Sequence, residues 1–110
     1  MNKREYKKAV QALGASLCVE FFTIGNAAID MNPGQVQECM NNVYAAMNKA
    51  IHGANAVFPK RQKEFATKSE YLKAKREFFR ELYVNLSAEY SAVIDKTLKD
   101  FNAALPKQTA

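Results

Sequence analysis

Two groups of basic side chains, Lys60, Arg61 and Lys63 and then Lys73, Arg76 and Arg80, have the type and spacing to do one kind of chemistry, the binding of polyanions. Between residues 59 and 80, eight lysines and arginines stand against Glu64, Glu70 and Glu77, a balance of +5. Residues 1 to 8 set Lys3, Arg4, Lys7 and Lys8 against Glu5, a balance of +3. The rest of the chain is acidic on balance, −2 over residues 9 to 58 and −1 beyond residue 80, so the net charge of +5 is concentrated rather than spread. Lys73, Arg76 and Arg80 are three and four residues apart, the spacing of one helix face. A phosphate backbone binds such a ridge largely by releasing its counterions, so its affinity falls steeply with salt. The plain alternative is a solvated lysine-rich face. Lys68 and Lys75 instead fall along an apolar stripe, where a charge must reach an edge or meet an acidic partner, because burying it alone is costly. Their position hints that the stripe is partly an interface.

Catalytic chemistry finds no such support. His52 is the one histidine, so an imidazole metal site or a Ser-His-Asp triad has no partner within the chain. Followed by Gly53, it reads as a surface residue in the last turn of a helix, where its charge suits the dipole. There is no G-x-x-x-x-G-K-S/T or G-x-G-x-x-G phosphate loop and no Glu-x-x-His pair of the kind that builds di-iron sites in bundles. Cys18 and Cys39 are too few for a disulfide framework and lack C-x-x-C spacing. They read as small buried hydrophobes in a reducing cytoplasm, and Met31, Met40 and Met47 read as core. No catalytic residue, metal or cofactor is expected, and the protein reads as non-enzymatic.

The elements that position the basic groups follow from composition and periodicity. A chain of 110 residues suits a single helical domain over residues 1 to 110. A hydrophobic share of 48% with modest net charge argues against disorder. Few glycines, prolines and β-branched residues favour helix over sheet. The basic start followed by AVQALGASLCVEFF has the outline of a signal peptide, but Gln11 and Glu20 interrupt it, and nothing approaches the roughly 20 apolar residues of a membrane span. A cytoplasmic protein with no membrane contact is expected.

Tyr6, Val10, Leu13, Leu17, Phe21, Ile24 and Ala28 form a helical stripe that predicts a first helix over residues 3 to 30. Gly14 and Gly25 within it mark a bend or a close helix contact. Asn32 and Pro33 are a cap and first-turn pair for a second helix over 34 to 58, which must stop before Pro59. Beyond Pro59 the stripe is Phe65, Leu72, Phe79, Leu86 and Val93 at steps of seven, widened by Tyr71, Phe78 and Leu82. Past Asn85 it continues as Tyr90, Val93, Ile94, Leu98, Phe101 and Leu105, with the centre turned by roughly 70°. One helix over this range would far outreach its partners, so a break between 85 and 91 is expected, with helices at 62 to 85 and 88 to 104. The expected fold is all-α, an antiparallel up-down four-helix bundle; the alternative is three helices with a long third helix. The tail from Pro106 is expected to be loose.

Residues 43 to 83, VYAAMNKAIHGANAVFPKRQKEFATKSEYLKAKREFFRELY, carry a helix ending in Ala54, Asn55, Phe58 and Pro59, then Glu64 and Phe65, Tyr71 and a basic helix. This stretch resembles the small bacterial four-helix bundles of the Avd-like type, accessory proteins of diversity-generating retroelements, grouped with bundles encoded by intervening sequences of ribosomal RNA genes. The resemblance implies a bundle assembling into a homopentameric ring with a positively charged surface that binds a reverse transcriptase and structured RNA. Only the basic surface, Lys60, Arg61, Lys63, Lys73, Arg76 and Arg80, transfers to positions here, and no catalytic residue does. The rival expectation is a protein-protein interaction module of a phage or mobile element that docks through exposed parts of its apolar stripe and binds no nucleic acid.

Overall fold

The structure, a computed structural model, describes residues 2 to 28 and 30 to 106. Its α-helices are α1 (Lys3–Ala27), α2 (Pro33–Gly53) and α3 (Lys68–Ala104), with one turn of 3₁₀ helix, Gln62–Glu64, between α2 and α3. There is no strand among the described residues. At 1.5 Å per residue the α-helices are about 37, 31 and 55 Å long, within a molecule of 69 × 19 × 18 Å.

Local chemistry sets the helix starts. Asn2 caps α1 by accepting from the Glu5 amide at 2.9 Å, while the Glu5 carboxylate accepts from the Asn2 amide at 3.4 Å. Asn32 caps α2, accepting from Gly34 N at 2.8 Å, with Pro33 in the first turn, where no amide hydrogen is needed. Thr67 caps α3 by accepting from Glu70 N at 3.1 Å. That Thr-x-x-Glu pair makes α3 begin at Lys68 and not at residue 62 as expected. The expected second helix also stops short, at Gly53 rather than residue 58. Glycine is a poor helix former, and residues 56 to 61 run on without regular structure into Pro59.

Three side-chain contacts fix the packing. Phe21 of α1 stacks on Phe101 of α3 at 4.4 Å, the Tyr90 hydroxyl donates to the Val10 carbonyl at 3.0 Å, and Tyr6 lies 5.2 Å from Tyr83. Residue numbers rise together along α1 and α3, so these two helices run parallel. α2 runs antiparallel to both, with Gly25 against Val36, Gly14 against Met47 and Gly53 against Leu86. The order is up, down, up. Gly14 is a close-contact glycine: a Cβ there would stand 2.9 Å from Met47 Sδ and 3.0 Å from Tyr90 Oη.

The core lies between α1, α2 and the C-terminal half of α3, with Phe21 and Val43 fully enclosed and Tyr6, Val10, Leu17, Cys18, Tyr90, Ile94 and Phe101 buried around them. Of the expected α1 stripe, Leu13 and Ile24 remain nearly half exposed, because Gly14 and Cys18 turn the buried face towards α2. Met31 is buried and Met40 and Met47 pack against the core. The Tyr6 hydroxyl is buried without a hydrogen-bond partner. Desolvation pushes its pKa above the usual 10.0, an effect that nearby Ser87 partly offsets.

The expected break between residues 85 and 91 is absent. α3 is continuous, so the three-helix alternative describes the fold. The phase shift that suggested a break has a different cause, a change of partner along one helix. From Tyr83 onward α3 packs on α1 and α2; before it, α3 runs about 18 Å past the start of α1 as an arm. The chain after α2 continues along this arm towards the start of α3, placing the Phe58 ring 5.8 Å from Tyr71, 5.4 Å from Phe78 and 6.3 Å from Phe65. Asn85 and Ser87 lower helix propensity only modestly, and neither glycine nor proline intervenes. None of residues 55 to 89 is buried, so the arm is held by half-buried aromatics rather than by a core. Pro106 follows the C-terminal cap, and the remainder of the expected loose tail lies outside the described residues.

Candidate nucleic-acid interface

The basic groups sit on the arm. Lys73, Arg76 and Arg80 are exposed on α3 and span about 10 Å of its length. Lys60 and Arg61 precede the 3₁₀ turn and Lys63 lies within it, all three exposed. The turn is closed by Glu64, whose carboxylate accepts from Arg61 N at 2.6 Å and whose amide donates to Arg61 O at 3.0 Å. The Lys60 ammonium lies 5.9 Å from the centre of the Phe65 ring, a cation-π distance.

The six side chains do not form one patch. The loop holding Lys60, Arg61 and Lys63 is anchored by Phe58 and Phe65 on Tyr71 and Phe78. At about 100° per residue, Tyr71 and Phe78 lie roughly 180° around α3 from the mean position of Lys73, Arg76 and Arg80. The basic groups therefore occupy opposite sides of the arm. Each is a row of solvated cations without an acid inside ion-pair distance; among the described residues the ion pair is Lys49 with Glu89 at 3.9 Å, both exposed. A pair of that kind contributes little.

Lys68 and Lys75 resolve their expected conflict differently. Lys68 opens α3 and is exposed. Lys75 is half buried with its ammonium 5.8 Å from the centre of the Tyr71 ring. The basic N-terminal segment also comes to this end of the molecule, where Lys7 donates to Asn55 Oδ1 at 2.5 Å and ties α1 to the loop. The sequence shows both positive segments but not their meeting. The adjacency follows from α1 and α3 running parallel.

His52 is exposed in the last turn of α2. Cys18 and Cys39 are free and buried. Desolvation is the main cause raising both thiol pKa values above 9.0, with a hydrogen bond from Tyr44 acting against it at Cys18 and the charges of Asp100 and Glu38 adding to it at Cys39. That direction is away from a reactive thiolate. Among the described residues there is no cluster of three or more His, Cys, Asp or Glu able to hold a metal, and no helix is long and apolar enough to cross a membrane. The chain matches no known family, no curated protein and no solved structure.

Proposed function

We infer that the protein is a non-enzymatic accessory protein whose arm binds the phosphate backbone of structured RNA. What supports this reading is the α3 ridge of Lys73, Arg76 and Arg80, exposed on a projecting helix with no acid in ion-pair distance. Cations already paired would have to lose a partner before binding phosphate; these do not. The resemblance of residues 43 to 83 to Avd-like bundles extends the proposal to a homo-oligomer, a pentameric ring in that group, that presents RNA to a reverse transcriptase. Lys60, Arg61 and Lys63 form a second contact row on the other side of the arm, available to a second strand or to the enzyme partner.

The test is binding of a labelled RNA hairpin at low and at moderate salt, with Lys73→Glu, Arg76→Glu and Arg80→Glu combined. Loss of binding with unchanged helical circular dichroism is expected. An intact protein that binds no hairpin even at low salt would refute the RNA reading. Light scattering reports the oligomer, and a monomer at working concentration would remove the ring.

A further inference from the structure

We propose that the groove between the start of α1, the loop after α2 and the arm of α3 is a docking site for an acidic amphipathic helix of another protein. It does not rest on the RNA reading, because it uses a different face of the arm from the ridge of Lys73, Arg76 and Arg80. The groove has a cavity volume of about 490 Å³, within the range of about 300 to 1,000 Å³ typical of ligand clefts. Val57, Phe58, Phe79 and Tyr83 supply its apolar surface, and Lys3 and Lys75 supply its charge. Among the described residues, no acidic one lines it. Val57 is 80% exposed, and Leu72, about one turn along α3 from Lys75 and two turns from Phe79, is 43% exposed. Val57 is the most exposed large hydrophobic side chain among the described residues.

Charge complementarity selects the occupant. Lys3 and Lys75, one from each positive segment of the chain, stand in the groove's lining, whereas Lys73, Arg76 and Arg80 lie on another face of the arm. A second copy of this chain docking through the same groove would bring like charges together, which complementary interfaces avoid. Single-stranded RNA would need open aromatic faces on which to stack. Here Phe58 is engaged by Phe65, Tyr71 and Phe78, and Tyr71 carries the Lys75 ammonium. An amphipathic helix needs only an apolar trough for its anchors and opposite charge at the rim. An acidic one fits both.

The probe is a fluorescein-labelled peptide of about 14 residues with leucine along one helical face and glutamate elsewhere, read by fluorescence anisotropy against the full-length protein. Saturable binding is expected, weakened about tenfold or more by Val57→Glu and by Lys3→Glu with Lys75→Glu. The peptide with lysine in place of glutamate, and the one with serine in place of leucine, should not bind. Val57 is exposed enough that its substitution leaves the fold intact, which circular dichroism verifies. No saturable binding, equal binding by the lysine peptide, or equal binding by both variants would overturn the proposal. So would a labelled oligouridylate whose binding is lost in Val57→Glu while the acidic peptide fails to bind. Lys73→Ala with Arg76→Ala and Arg80→Ala separates the two readings: it should weaken hairpin RNA binding and leave peptide binding unchanged.

Discussion

The placement of the basic side chains on opposite sides of α3 sets a ceiling on how many phosphates a rigid duplex engages, and that ceiling is measurable as a salt dependence. A duplex lying along the arm meets either Lys73, Arg76 and Arg80 or the loop group, but not both. With about three phosphates neutralised, the logarithm of affinity falls with the logarithm of salt at a slope of about −2.7. Between 50 and 200 mM salt this is a loss of about 40-fold. Were all six basic side chains engaged, the slope would be about −5.4 and the loss about 2,000-fold. Anisotropy of a labelled duplex titrated with protein across a series of potassium chloride concentrations separates the two. Arg76→Ala should reduce the slope by about one and weaken binding to all sequences alike, as expected for a phosphate contact. Changing Lys60, Arg61 and Lys63 together to alanine should leave the slope nearly unchanged. A slope near −5, or an equal fall in slope from the loop triple and the ridge triple, would refute the opposite-side geometry as the determinant of binding.

The other predictions concern what holds the site in place. Phe21→Ala, which empties a position 2% exposed and stacked on Phe101, should cost about 3 to 5 kcal/mol, read as a lower midpoint in urea. Phe58→Ala should instead leave the core intact and raise amide exchange in residues 68 to 80, since the arm depends on that ring; unchanged exchange would show that the arm does not need it. Thr67→Ala should cost about 0.5 to 2 kcal/mol through loss of the α3 cap. Stability should also fall as pH rises through about 9.0, where thiols freed by unfolding ionise while buried Cys18 and Cys39 stay protonated, with the buried hydroxyls of Tyr6 and Tyr90 adding to the loss near pH 10. The folded state then binds more protons than the unfolded state, so raising pH favours unfolding. Urea midpoints at pH 7 and pH 10 test this, and equal midpoints would refute it.

The sequence by itself determined the all-α class, the Asn32 and Pro33 start of α2, the buried cysteines, the core role of the methionines and the concentration of charge at two segments. These follow from short-range rules of helix period, cap chemistry and residue propensity, which act within a few positions. The end of α2 at Gly53 and the start of α3 at Lys68 were also locally signalled, by a glycine and by a Thr-x-x-Glu cap at Thr67, but the stronger signal of Pro59 drew both boundaries towards itself. The continuity of α3 was not legible. A turn in the phase of an apolar stripe looks the same whether the helix breaks or changes partner, and only the positions of Phe58, Phe65 and α1 distinguish the two. The same holds for the basic side chains. Spacing along one helix placed Lys73, Arg76 and Arg80 together, whereas the loop group was put on the far side of the arm by packing of Phe58 and Phe65 on Tyr71 and Phe78, which lie opposite that ridge on the helical wheel. The groove beside Lys3 and Lys75 belongs to tertiary structure alone, since it exists because α1 and α3 run parallel and α3 is the longer by about 18 Å at that end.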